Sequence, residues 1–152
     1  MKTSWVGTGR LLGAAVCALV FAAVAEPAAA HHSFSAEFDP DAPVTLHGTI
    51  VRMEWINPHA WLHIEVQNDD GTTTAWMIES ATPNTLFRRG FSRDSVRAGT
   101  EITVHGYQAR NGANRANGRD LILPDGSRLF MGSRGTGAPG DEALEEGRSR
   151  PE

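Results

Sequence analysis

The chain has 152 residues, a formal net charge of −4, 40% hydrophobic and 21% charged residues, a composition suited to a folded domain and unlike that of collagenous or disordered chains. Its mild acidity lacks the basic footprint that nucleic-acid binding requires, so no nucleic-acid partner is expected. The single cysteine, Cys17, lies in a segment that reads as removable. Disulfides, thiol catalysis and thiolate metal sites are therefore excluded from the mature protein.

Residues 1–30 have the pattern of a cleavable signal peptide. Lys2 and Arg10 give a positive start, positions 11–25 form an apolar core, and Ala28 and Ala30 are the small residues a signal peptidase needs. The apolar run is too short to span a bilayer comfortably and has no charged stop after it. A periplasmic or secreted protein without a stable membrane span is expected. Cleavage after Ala30 makes His31 the new amino terminus, whereas cleavage after Ala25 leaves it internal. Residues 31–152 retain only arginine among the basic side chains and carry a net charge of about −5. That length supports one modest core.

Residues 31–43 read as a polar arm that contains His31, His32, Phe34 and Phe38 and ends in the turn-prone Asp39-Pro40-Asp41-Ala42-Pro43. The barrel domain is expected over 44–131. The first strand, 44–55, places Val44, Leu46 and Ile50 on one face. The phase then changes to Val51, Met53 and Trp55, which predicts a bulge or bend near 48–50. A second strand over 60–67 turns Leu62, Ile64 and Val66 inward and Trp61, His63 and Glu65 outward. Asn68-Asp69-Asp70-Gly71 predicts a tight turn, followed by a third strand over 72–80. Thr82-Pro83 opens a short helix to about Arg89, and a further single turn is expected over 92–96. The fourth strand, 101–109, has Ile102 and Val104 inward and His105 and Tyr107 outward. Residues 111–118 read as a glycine- and asparagine-rich loop. A final hairpin joins 121–123 to 128–131 through Pro124-Asp125-Gly126, and 132–152 is expected to be a disordered tail.

Three strands, a helix and then further strands give the order of an OB-fold. The expected fold is mainly β, an OB-fold-like small barrel of five to six strands with one short helix.

His31-His32-Ser33-Phe34, Val44-Thr45-Leu46 through Gly48-Thr49, Glu54-Trp55, Asn57-Pro58-His59-Ala60-Trp61, Trp76 with Glu79, and Leu123-Pro124-Asp125-Gly126 together resemble a family of small exported bacterial proteins, domain of unknown function 6152. The resemblance covers about residues 31–130, and the two histidine-bearing motifs are its most specific parts. Phe91 stands where the family pattern has tryptophan, which preserves the aromatic character. The resemblance implies export and a small β-barrel and assigns no activity.

The histidines carry most of the chemistry. An amino-terminal His31 can chelate Cu(II) through its amine and Nδ1, and His32 can add an imidazole or a deprotonated amide. His59, held at a proline corner, is the expected third ligand. His63 is four residues further on, so a regular strand would separate it from His59 by roughly 13 Å. His63 therefore needs a separate partner. His47 and His105 fall on outward faces and stand outside this site. Glu54, Glu65 and Glu79 are candidate oxygen ligands or acid–base groups whose separations the sequence leaves open. Trp55, Trp61 and Trp76 read as packing residues.

The expected function is thus copper binding by a non-catalytic exported barrel, with His31, His32 and His59 as ligands and Cu(II) as the cofactor. A different class of function rests on seven arginines between positions 88 and 119. There Arg88, Arg89, Arg93 and Arg115 would bind an anionic envelope polymer or glycan. A weaker alternative is a copper-dependent oxidative enzyme, since a terminal histidine with a second histidine resembles the histidine brace of copper oxygenases. No complete catalytic motif is visible and no catalytic residue is assigned.

Overall fold

One long strand organises the molecule. The computed structural model describes residues 33–134 and 136–139, in which helix α1 (Ser33–Glu37) leads directly into strand β1 (Phe38–Glu54). Strands β2 (Trp61–Gln67) and β3 (Thr73–Glu79) follow, then helix α2 (Pro83–Arg88) and strands β4 (Glu101–Ala109), β5 (Arg115–Ile122) and β6 (Arg128–Phe130). The sheet order is β3-β2-β1-β4-β5-β6, and a parallel β3–β5 pairing closes the first five strands into a ring. All other pairings are antiparallel. This is the expected small OB-like barrel, with two short helices rather than one. Among the described residues, no helix is long and apolar enough to cross a membrane.

β1 pairs with β4 through its first half and with β2 through its second. Gly48 sits where the two pairings overlap, and a Cβ there would lie 2.6 Å from the Glu65 carbonyl oxygen. The expected break in alternation is present, with the register shift between Ile50 and Arg52. Val51 occupies the bulge and is exposed, so it does not join Met53 and Trp55 against the core. An extra residue in one strand leaves its side chain out of phase, which is why Val51 escapes the inward pattern.

Leu46, Ile50, Leu62, Ile64, Ile78, Val104 and Leu121 fill the barrel, and Leu86 from α2 adds to the same core. α2 begins as its sequence predicts, with the Thr82 side chain accepting from the Thr85 N–H and Pro83 in the first turn. The stretch after it is a turn rather than a second helix. Ser92 and Ser95 exchange backbone-to-hydroxyl hydrogen bonds there, an alternative to helical pairing that serine readily supplies.

Three boundaries differ from the sequence expectation. Ordered structure does not begin at Val44, because Phe34 and Phe38 are buried with Ala109 and Ala138 in a second cluster that also packs Tyr107. Phe34 meets Tyr107 edge-on at 5.6 Å. The segment with Pro40 and Pro43 is extended in β1, and the register shift against β4 between Phe38 and Pro43 accommodates it; proline is tolerated where ladder donors are not required. Residues 115–118, expected in a loop, start β5. Their small side chains permit close approach: a Cβ on Gly118 would lie 2.7 Å from both Ile78 and Met131. Ile78 pairs with Ala116 where the barrel closes. Lastly, Ala138, expected in the tail, is buried. Residues 140–152 lie outside the described residues.

Candidate functional site

The outer face of the barrel seam holds an unusual concentration of polar side chains. Ile78 and Ala116 point into the core, so their neighbours Glu79 and Asn117, paired with each other across the parallel β3–β5 seam, point outward. Trp61 on β2 is opposite Glu79, and Tyr107 on β4 is opposite Asn117. Glu79 and Asn117 are nevertheless only 7% and 3% exposed. Tyr107 belongs to the second apolar cluster, so this part of the outer face lies beside the packed N-terminal segment rather than open to water.

His59 enters from the corner after the cis Asn57–Pro58 peptide. Its Nδ1 lies 2.5 Å from Glu79 Oε1, with the ring side chain 31% exposed. Nδ1 is thus committed to a carboxylate, and Nε2 is the ring nitrogen left for a ligand. Burial pushes the Glu79 carboxyl above its ordinary value; His59 opposes this, Glu37 adds to it and Arg115 again opposes it. Arg115 joins these groups physically. It donates to Glu37 Oε2 at 3.0 Å and places its guanidinium 5.2 Å from the Trp61 ring centre and 6.0 Å from that of Phe38. Arg110 secures the same helix by donating to the Ser35 carbonyl at 2.7 Å. The buried Asn117 Oδ1 accepts no hydrogen bond among the described residues.

His59 therefore has a built environment. His31 and His32 lie outside the described residues, and His32 immediately precedes Ser33, the first residue of α1. His63 has the separate partner its spacing demands, with Nε2 3.2 Å from Glu54 Oε1. That nitrogen is buried without a well-aligned hydrogen bond. The same Glu54 oxygen already accepts from Arg52 Nε at 3.0 Å and from its terminal nitrogen at 2.8 Å. The Arg52 hydrogen bonds hold Glu54 below the usual carboxylate range. Among the described residues, no group of three or more His, Cys, Asp or Glu side chains is positioned to hold a metal ion.

The four candidate anion-binding arginines have different surroundings. Arg88 reaches Thr85 Oγ1, while Arg89 donates to the Gly132 carbonyl at 2.5 Å and stacks over Phe130. Arg93 lies over Trp55, which itself stacks on Phe87. Arg115 is engaged with Glu37 and Trp61. Nearby Arg97 pairs with Asp94. The partial enclosure of Glu79 by an N-terminal helix was missed by sequence reasoning. The available signal was the i, i+4 aromatic pair Phe34 and Phe38, which marks an amphipathic turn.

Fold and site together define a small closed β-barrel with a half-exposed histidine paired to a buried carboxylate on its outer seam. The chain belongs to the family of unknown function DUF6152, which matches residues 18–118. No curated protein and no solved structure matches it.

Proposed function

We propose that this is an exported copper-binding protein in which His31, His32 and His59 hold one Cu(II). The observation that carries the reading is the hydrogen-bonded His59–Glu79 pair. A carboxylate on Nδ1 fixes the ring orientation and tautomer and makes Nε2 a better donor, the arrangement that commonly supports metal-binding histidines. The pair also shares its surroundings with the helix that follows the terminal histidines. Glu37 of that helix is tied to Arg115, and its charge acts on Glu79. Chain connectivity keeps His31 and His32 within two residues of Ser33.

The donor set is chemically coherent. An amine and imidazoles are nitrogen ligands, which favour Cu(II) over magnesium or calcium. The mature amine titrates near pH 8 and an imidazole near 6.5, so binding at neutral pH displaces few protons. Arg115 contributes by holding the helix and compensating the carboxylates. No catalytic step is assigned.

Protein processed to start at His31, with the terminus confirmed by mass spectrometry, is expected to take one Cu(II) per chain in calorimetry. One extra residue before His31 should remove most of the affinity, and His59→Ala should weaken it by roughly ten- to a hundredfold, the range found when site-supporting groups are lost. Unchanged affinity in both variants overturns the reading.

A further inference from the structure

The end of β1 and the end of α2 share an exposed apolar shelf. Trp55 follows the last residue of β1 and packs its partly buried side chain against the core. Phe87 of α2 stacks on that ring, with centres 4.7 Å apart and planes 14° from parallel. The stack joins Phe87 to Ile56, the residue after Trp55, in one surface region. These are the two most exposed large hydrophobic side chains among the described residues, at 44% and 51%.

Arginines frame this shelf. The Arg93 guanidinium lies over the Trp55 ring at 5.9 Å, and Arg88, next to Phe87, donates to Thr85 Oγ1 at 3.3 Å. Both arginines are exposed, and neither is paired with a carboxylate among the described residues. Stretches 55–64 and 80–93 contain no acidic residue. The acidic residues nearest in sequence to Trp55 and Arg93 are Glu54 and Asp94, which are tied to Arg52 and Arg97. Residues 31–152 carry about −5 overall, so the shelf is a locally cationic face on an acidic protein. Such a face can approach an anionic surface that the rest of the molecule repels.

We propose that this shelf docks the protein on the surface of an anionic lipid bilayer, with Ile56 and Phe87 entering the boundary between headgroups and acyl chains and Arg88 and Arg93 meeting lipid phosphates. Apolar side chains ringed by arginine are what a peripheral membrane contact requires, because burial of the apolar groups and attraction to the headgroups add. Arginine suits the rim, since its guanidinium stays with phosphate while its stem lies along apolar surface. A soluble sugar polymer fits less well. Trp55 already spends its ring on Phe87 and Arg93, and the aliphatic Ile56 offers nothing to sugar hydroxyls. The docking is independent of the copper site, none of whose ligands it uses.

Both apolar clusters lie within residues 34–138, and residues 31–152 form a compact unit of their own, so the processed protein can be tested without its apolar leader. With no metal added, it should co-sediment with vesicles of phosphatidylglycerol and phosphatidylcholine, stay in the supernatant with phosphatidylcholine alone, and be released as salt rises. Arg88→Glu with Arg93→Glu should weaken the association at least about tenfold. Ile56→Ser with Phe87→Ser should weaken it by a similar factor, as inserted apolar area is lost. Unchanged urea midpoints confirm that these variants are folded, and Ile56→Ser alone serves if Phe87 proves necessary for folding. The proposal is overturned if anionic vesicles leave the protein in the supernatant or if Ile56→Ser pellets like the parent. It is equally overturned if the arginine variants lose binding to soluble dextran sulfate but not to vesicles, which assigns the shelf to a polyanion. A lipid-free dimer abolished by Ile56→Ser assigns it to a second copy of the chain instead.

Discussion

His59 and His63 are four residues apart, and each meets a glutamate, yet the two pairs have opposite electrostatics. Glu79 is buried at the seam, and desolvation raises its pKa against the pull of His59 and Arg115. Glu54 lies on the open stretch of the same barrel, where the Arg52 hydrogen bonds lower its pKa. The His–Glu pairing thus says little by itself about charge state. What distinguishes the two is whether backbone and apolar groups exclude water, because burial penalises a carboxylate more than one nearby cation offsets. The contrast lies in the carboxylates: Glu79 is buried beside a half-exposed His59, whereas Glu54 is the more exposed member of its pair with a largely buried His63.

The strongest way to break this contrast is to open the seam. Gly106→Val would drive a side chain against the Asn117 carbonyl and Gly118, at a cost of about 3 kcal/mol from overpacking at a backbone contact. Urea unfolding measures that cost. In folded variant that remains, carboxyl NMR should show Glu79 titrating closer to its ordinary value. A Glu79 still raised in an opened seam would show that burial there is not the cause.

Removal of each histidine gives a smaller effect. His59→Ala leaves the Glu79 carboxylate buried without its direct partner and should cost about 1–3 kcal/mol, the usual penalty for stranding a buried polar group. His63→Ala should shift the urea midpoint less, since Arg52 still satisfies Glu54. Equal losses would contradict the distinction between the buried Glu79 and the more exposed Glu54.

The pH dependence of stability offers the finest comparison. Folded Glu79 keeps its proton above the ordinary value of 4.5, so between that value and its raised pKa the folded state binds more protons than the unfolded one. Its contribution is fully present below 4.5 and is lost as pH rises through the folded pKa. Glu79→Gln should therefore gain stability relative to the parent as pH rises through this window. Glu54 has the opposite sign: its contribution is present above its unfolded pKa and is lost as pH falls through the lowered folded pKa. Glu54→Gln should accordingly lose ground to the parent as pH rises through the acidic range. Denaturation midpoints at several pH values read both slopes, and parallel slopes would refute the assignment of opposite environments.

Much of the barrel is legible in local pattern. Leu62, Ile64 and Val66 alternate as a strand must, Gly71 supplies the positive φ of its turn at 81°, and Thr82-Pro83 starts α2 because side-chain capping and a fixed proline φ act locally. The N-terminal segment is harder to read. Asp39, Pro40 and Pro43 favour turns in isolation, but Phe38 buries itself against Ala109 and Tyr107 and the segment extends along β4. Residues 115–118 look like a loop because small residues have weak propensity. Their value lies in allowing β5 to approach Ile78 and Met131, which local pattern cannot express.

The sequence alone therefore determined the succession of strands and helix, the helix cap, most of the inward faces, the family and the separateness of His59 and His63, since these follow from local periodicity, capping, chain spacing and motif. Only the tertiary structure decided that Glu79 is the partner of His59, that Glu54 is the partner of His63, and that His47 and His105 each bond a threonine on the facing strand. These relations depend on strand register and on which part of the barrel surface the N-terminal segment covers. Both are set by contacts between residues far apart along the chain, where the energy of burial and pairing outweighs local preference.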